Sequence, residues 1–184
     1  MSAHPRRVRV VGTSGAGKTT FARRLATVLD APHVELDAVF WGPDWVKRDA
    51  AEAQADLRER TAGASWVACG NWDSRLEGTL DHADTVVWLD YPRWLVMTRV
   101  VRRTLWRGLT RRELWHGNRE SLRNLTSSDP HRNIVVWAWT TYARTRARYA
   151  DRAAAPGSGV VRLTSTRAAR RWLDGLASAA DLDG

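Results

Sequence analysis

The residues whose types and spacing most clearly do chemistry are Gly12-Thr13-Ser14-Gly15-Ala16-Gly17-Lys18-Thr19, a match to G-x-x-x-x-G-K-[ST]. Gly12, Gly15 and Gly17 allow tight turns and close approach of backbone to an anion. The N–H groups of the loop, those of Ser14, Gly15, Ala16 and Gly17 among them, then point inward as a nest for phosphates. Lys18 supplies a mobile point charge for the β and γ oxygens of a polyphosphate, and the Thr19 hydroxyl is a ligand for Mg²⁺. Thr20 adds a second hydroxyl, read as a helix-start residue rather than a ligand. The chemistry is that of holding and transferring a phosphoryl group.

Such a loop needs a strand before it and a helix after it, and the sequence provides both. Arg7–Val11 is a short β-rich run, and Thr19–Leu29 carries Phe21, Leu25 and Val28 at helical spacing. Further on, the pattern predicts strands at 33–36, 65–68, 85–89 and 160–163. Helices are expected at 48–61, from Pro92 to about Trp106, from Ile134 past Tyr149, and at 167–177. Short apolar strands alternating with helices predict an α/β fold: a three-layer arrangement with a five-stranded parallel sheet covered on both faces. Right-handed crossovers then line the C-terminal ends of all the strands along one edge, where such sheets bind ligands. Residues 107–132 lack clean periodicity and are rich in Arg, Asn and Ser; they read as an Arg-rich lid insertion in one domain spanning 1–184.

Composition narrows the classes. A chain of 184 residues with 43% hydrophobic and 27% charged residues buries a core, which excludes wholesale disorder. Nowhere do apolar residues approach the length of a membrane span. Neither an apolar leader nor a cleavage site stands near the start, so the expected compartment is the cytoplasm. Cys69 is the single cysteine, which rules out a disulfide framework within the chain. Of the 29 basic residues only Lys18 and Lys47 are lysine. Residues 93–152 hold 14 arginines against four acids, so that segment expects an anionic partner.

With the glycine-rich loop this near the start, the chain resembles a small P-loop kinase of the adenylate kinase-like group. More narrowly it resembles the FlaR-related proteins, often labelled DNA topology modulation proteins. The matching residues are Gly12–Thr19, Glu35–Trp41 with Pro43-Asp44-Trp45, Gly70-Asn71, Asp84–Asp90 followed by Arg93, and the Arg-rich stretch with Trp115, Gly117 and Asn118. The resemblance implies a five-stranded parallel core, a mobile lid and phosphoryl transfer from ATP with Mg²⁺ to a small molecule or nucleotide. It also implies an acid at the end of the third strand to assist Mg²⁺ through water. Cys69 stands there instead, so Asp37 or Asp73 substitutes or turnover is weak.

Other residues join the expected site. Asp37, at the end of the second predicted strand, is placed to hold the acceptor hydroxyl and take its proton, or is a turn carboxylate. Phe40, Trp41 and Trp45 form a wall for a ring or pack as core. Asn71, Asp73 and Arg75 follow the third strand, with Arg75 suited to an acceptor phosphate. On the helix after Pro92, residues 94, 97, 101, 104 and 105 read as the apolar stripe. Arg99, Arg102 and Arg103 form the opposite one, either solvated or neutralised by an anion. Arg103 and Arg107 are expected near the nucleotide at the lid hinge. Arg132 and Arg144 are expected to reach the transferring group, and Arg167 to border the base after the last strand. The five histidines show no metal-ligand spacing. Two alternatives stay open: a nucleic-acid-associated protein switched by nucleotide, suggested by tryptophans among the arginines, and a chain that binds ATP without transferring it.

Overall fold

The computed structural model describes residues 4–130 and 133–183. Five strands, β1 (Arg7–Gly12), β2 (His33–Glu35), β3 (Trp66–Cys69), β4 (Thr85–Leu89) and β5 (Val160–Leu163), form one sheet in the order β2-β3-β1-β4-β5. Every neighbouring pair is parallel, and the expected α/β class is borne out. Seven helices connect and cover the strands: α1 (Lys18–Val28), α2 (Leu36–Phe40), α3 (Ala50–Arg60), α4 (Asp73–Leu76), α5 (Arg93–Thr110), α6 (Ile134–Ala154) and α7 (Thr166–Asp183).

The strands are apolar because both sheet faces are covered. Val8 and Val10 of β1 and Val87 and Leu89 of β4 pack with Leu25 of α1 and Leu173 of α7 on one face. Val11, Val86 and Trp88 meet Tyr149 of α6 on the other, where Trp66 and Ala68 of β3 also pack with Leu57 of α3 and Leu76 of α4. The strand register pairs Glu35 and Val10 with Cys69, and Gly12 with Leu89. The β1–α1 loop, the ends of β2 and β3 and the start of α5 therefore meet at one sheet edge.

Two boundaries and one helix face differ from the sequence reading. β2 ends at Glu35, and Leu36 already opens α2, so Asp37 lies in the first turn of a helix rather than on a strand. α5 continues to Thr110, taking the first residues of the expected lid into a helix that ends where Arg111 adopts a left-handed conformation, φ 47°. The expected apolar stripe of α5 is also corrected. Val96, Val100 and Thr104 are buried, whereas Trp94, Val101, Leu105 and Leu109 face outward. α5 is apolar around much of its circumference, so periodicity alone does not choose its inner face. The packing of Val96 and Val100 against the β1–α1 loop chooses it, and this turns Arg99, Arg103 and Arg107 inward and leaves Arg102 exposed.

Arg9 lies in the central strand and is only 5% exposed. Its Nη2 donates to Asp73 Oδ1 at 2.5 Å, and Asp73 Oδ2 also accepts from Arg148 at 2.9 Å and from the Tyr149 hydroxyl at 3.0 Å. Burial alone would raise the Asp73 carboxyl, but the Arg9 guanidinium overrides it and holds the pKa below the usual range. A depressed folded-state pKa contributes stability above the unfolded value, near 4, and that contribution is lost as pH falls through the folded value. Asp73→Ala strands the buried Arg9 charge, so urea denaturation at neutral pH should show a loss of about 3 kcal/mol. The deficit should shrink on acidification, because the parent loses the same interaction there.

Candidate active site

The loop between β1 and α1 is held on three sides. Gly12 (φ 144°) lies so close to β4 that a Cβ there would meet the Leu89 carbonyl oxygen at 2.7 Å. Gly15 (φ 86°) lies against α5, where a Cβ would sit 2.6 Å from the Val96 carbonyl oxygen. On the third side Asn71, just past β3, donates from Nδ2 to the Gly12 carbonyl at 2.6 Å and accepts from the Gly12 N–H at 3.3 Å. Asn71, expected to touch substrate, is thus engaged with the loop backbone. Lys18 Nζ donates to the carbonyls of Gly12 (2.9 Å) and Thr13 (3.1 Å). Burial pushes its pKa below the ordinary lysine value, Asp37 opposes that shift and Arg103 adds to it.

Beside the loop runs a ladder of arginines on α5. Arg99 donates to the Ala16 carbonyl at 3.4 Å, and its guanidinium lies 5.5 Å from the Tyr91 ring centre. Burial and the neighbouring Arg107 lower the Arg103 pKa, with Glu120 and Asp37 opposing. Arg107 donates to Glu120 Oε1 at 2.7 Å. Arg103 Nε and Glu120 Oε2 are both buried without a hydrogen-bond partner, two polar atoms suited to receive a ligand. Arg103 and Arg107, expected near the nucleotide, stand on α5 beside Glu120. Arg99 and Glu120 are additions. The 99, 103, 107 spacing at i, i+4, i+8 is the sequence signal for the ladder, and nothing in the sequence singles out Glu120.

Across the loop lies a carboxylate in an aromatic setting. Trp72 Nε1 donates to Asp37 Oδ1 at 2.7 Å, leaving Oδ2 for another donor. Trp72 stacks on Phe40 at 5.0 Å and meets Trp41 edge-on at 5.2 Å, and Trp41 meets Trp45 at 5.8 Å. Trp72 was not among the expected site residues. Arg75 lies over the Phe40 ring and donates to the Arg48 carbonyl at 2.9 Å.

The segment after α5 docks on this wall. Asn118, 4% exposed, donates to the Gly42 carbonyl at 2.8 Å and accepts from the Trp45 N–H at 2.9 Å. Trp45 Nε1 donates to the Arg119 carbonyl at 3.3 Å, Trp115 Nε1 to Glu35 Oε2 at 3.0 Å, and His116 Nε2 lies 2.8 Å from the Ala38 carbonyl oxygen.

The place expected to serve Mg²⁺ has an unusual donor set. Cys69 Sγ is 3.9 Å from Thr19 Oγ1 and 3.4 Å from His33 Nε2. Burial pushes the Cys69 thiol up to about 12 and lowers His33, so both are neutral near pH 7. Mg²⁺ takes oxygen ligands and keeps its waters, and a thiol with an imidazole does not fit it. Of the two substitute acids, Asp73 is tied to Arg9, Arg148 and Tyr149 on the far side of Asn71. Among the described residues no group of three His, Cys, Asp or Glu could hold a metal.

The remaining expectations separate. Gly12, Ser14, Gly15, Ala16, Gly17, Lys18, Thr19, Asp37, Trp41, Arg103 and Arg107 all lie on the loop or the elements gathered around it. Thr20 is exposed on α1. Arg144, expected to face inward, is exposed: the buried side of α6 is set by Ala138, Tyr142 and Tyr149, and 144 falls off that stripe. Arg167 is exposed in the first turn of α7. Arg132 lies outside the described residues.

No family model matches the chain. Its backbone is similar to that of a shikimate kinase from Acinetobacter baumannii in complex with shikimate, at 18% identity over 97% of this chain and 94% of that one, TM-score 0.58. A shikimate kinase from Bacteroides thetaiotaomicron aligns at 13% identity over 96% and 98% of the two chains, TM-score 0.52. A gluconokinase from Sinorhizobium meliloti 1021 aligns at 17% identity over 97% and 95%, TM-score 0.50. The chain has the fold of the small P-loop kinases.

The docked segment yields a direct test. Asn118→Ala leaves the Gly42 carbonyl and the Trp45 N–H without their partner, a cost of about 1–3 kcal/mol. Limited proteolysis between residues 111 and 130 should accelerate by about tenfold, the equivalent of 1.4 kcal/mol in the undocking equilibrium, with little change in melting temperature.

Proposed function

We propose that the chain is an ATP-dependent phosphotransferase that moves the γ-phosphoryl group to a hydroxyl of a small molecule or nucleotide. One observation carries this reading. A glycine loop pinned on three sides faces Lys18 and the α5 arginines, with the Asp37 carboxylate set across from them. In this account the loop N–H groups and the α1 N-terminus hold the polyphosphate, and Lys18 leaves its two carbonyls for the phosphate oxygens. Asp37 Oδ2 takes the proton of the acceptor hydroxyl as that oxygen attacks the γ-phosphorus. The bond from the γ-phosphorus to the β–γ bridging oxygen breaks, and ADP leaves with the negative charge. Arg99, Arg103 and Arg107 face the charge that develops on the equatorial and leaving oxygens, so rate comes from alignment and electrostatics. The tryptophan wall bounds the acceptor, and the docked 111–130 segment acts as a lid that excludes water.

The finer assignment, to the FlaR-related proteins, rests on the order of the motifs, with Gly70-Asn71 and Trp115-x-Gly117-Asn118 the most distinctive. The structural neighbours are shikimate kinases, one in complex with shikimate, and a gluconokinase; a hydroxylated acceptor is compatible with Asp37 as base. Among the described residues no helix is long and apolar enough to cross a membrane, and we place the activity in the cytoplasm.

Titration with ATP, followed by tryptophan fluorescence, is the first test. Lys18→Ala should weaken binding about 100-fold, or about 2.7 kcal/mol; an unchanged affinity removes the reading. Asp37→Asn should keep ATP affinity within about threefold and lower ADP release by about 10²-fold or more, the range of one general base. The substrates would be nucleosides, nucleoside monophosphates and hydroxylated acids. Arg144→Ala should change neither quantity.

A further inference from the structure

We infer that the outer face of α5 seats the chain on an anionic lipid surface, lying flat among the headgroups rather than crossing them. The inference is independent of the phosphotransferase reading.

Val96, Val100 and Thr104 bury one side of α5, so the opposite side faces solvent. That side is not polar. Trp94, Val101, Leu105 and Leu109 recur on it at i, i+7, i+11 and i+15, an exposed stripe about 22 Å long. Trp94 is 70% exposed and Leu109 74%. Leu122, also exposed, lies so close to Gly108 that a Cβ there would meet its side chain, and it widens the stripe toward the C-terminal end of the helix. Eight of the nine exposed large hydrophobic residues among those described fall between 94 and 139. Scattered exposed apolar residues need no account, but a continuous apolar face marks a surface that something covers.

Charge identifies the occupant. α5 contains five arginines and no acid. Arg99, Arg103 and Arg107 turn inward, while Arg102 stands in solvent beside the stripe. Past the C-terminal end Arg111, Arg112 and Arg123 are exposed as well, and the Arg112 guanidinium lies 5.4 Å from the centre of the exposed Trp106 ring. The acids of the following segment are engaged: Glu120 holds Arg107 on the inner side, and Glu113 faces Arg119 at 3.6 Å. An apolar stripe with a basic border fits a partner that is anionic at its surface and apolar beneath. A second copy of this face would set arginine border against arginine border with no acid to meet either. A nucleic acid would leave the aliphatic centre of the stripe without stacking or phosphate contacts. A groove on an acidic protein would have to match side chains that project from a ridge, whereas a bilayer surface takes projecting tryptophan and leucine without a shaped pocket. Among the described residues no helix is long and apolar enough to cross a membrane, so the contact is peripheral. Because the inner side of α5 packs on the β1–α1 loop, docking holds that loop about 10 Å, one helix diameter, from the lipid.

Sedimentation of the full chain with lipid vesicles is the test. Vesicles of phosphatidylcholine with about 30% phosphatidylglycerol, at about 0.1 M salt, should bind it about tenfold or more tightly than phosphatidylcholine alone. Brominated acyl chains in the same vesicles should quench tryptophan fluorescence, and Trp94→Phe should lower that quenching. Leu105→Ser combined with Leu109→Ser should weaken partition by about tenfold or more. Arg102→Gln should weaken it about fivefold, the share of one basic residue at an anionic surface. All these side chains are exposed, so each variant should keep the parent's melting temperature. The inference is overturned if the chain ignores anionic vesicles or binds neutral ones equally, if the double variant binds like the parent, or if binding occurs without acyl-chain quenching. It is equally overturned if sedimentation velocity shows a dimer that the double variant splits, or if that variant abolishes binding to duplex DNA and leaves vesicle binding intact.

Discussion

The site depends on how closely one stretch of backbone approaches its neighbours. At Gly12 and Gly15 the β1–α1 loop sits nearer to the carbonyls of Leu89 and Val96 than any side chain would permit. That proximity draws α5 against the loop, and once Val96 and Val100 are buried there, the helical repeat delivers Arg99, Arg103 and Arg107 to the same side. Asn71 completes the restraint by hydrogen-bonding both polar groups of the Gly12 peptide unit. The Gly12 carbonyl also receives Lys18, so one oxygen fixes both the loop and the resting place of its only cation. Preorganisation of this kind keeps donors aimed at a phosphate before the phosphate arrives.

The large positive charge divides into two populations that composition cannot separate. Some arginines are paired with the protein's own buried or half-buried acids. Asp90, its side chain 3% exposed at the end of β4, accepts from Arg146 at 2.8 Å and from Arg162 at 2.9 Å, and Asp73 accepts from Arg9 and Arg148. These pairs brace α6 against the sheet and tie β5 to the end of β4. Others line the phosphate loop, where no equal number of acids balances them. The basic bias of residues 93–152 is therefore partly architectural, and counting charge overstates how much of it awaits an external polyanion.

What was legible in the sequence follows from locality. The β1–α1 loop, its flanking strand and helix, and the parallel order of elements are encoded in short windows, and the sheet bears them out. Asp37 lies at the expected edge, although the chain turns helical one residue earlier than alternation suggested. The inner face of α5 was not legible, because a helix apolar on several sides is oriented by its partner. Asn71 reads from sequence as a substrate contact, and only the register of β3 beside β1 places it against the Gly12 backbone. Glu120 acts through a contact 13 residues away in sequence and Trp72 through one 35 residues away, with no local signal. The pairing of Cys69 with His33 is a cross-strand property: two unremarkable residues 36 positions apart become neighbours only when β2 and β3 align in parallel.

The docked segment explains how so enclosed a site can still exchange ligands. Its contacts with the Glu35–Trp45 region are mostly single hydrogen bonds to backbone carbonyls and one buried asparagine, rather than a continuous apolar seam. Each such bond contributes about 1 kcal/mol net, and ordering a residue costs about the same or more. The balance between docked and undocked states is then close, and a bound polyphosphate that engages Arg103 and Arg107 from beneath can decide it. Arg107 links the two regions directly, since it holds Glu120 of the docked segment while standing on the helix that packs against the phosphate loop. Anything that competes with Glu120 for that guanidinium changes the hold on the segment above it. Under the proposed function, closure and phosphate binding are coupled through that one side chain, without a separate relay.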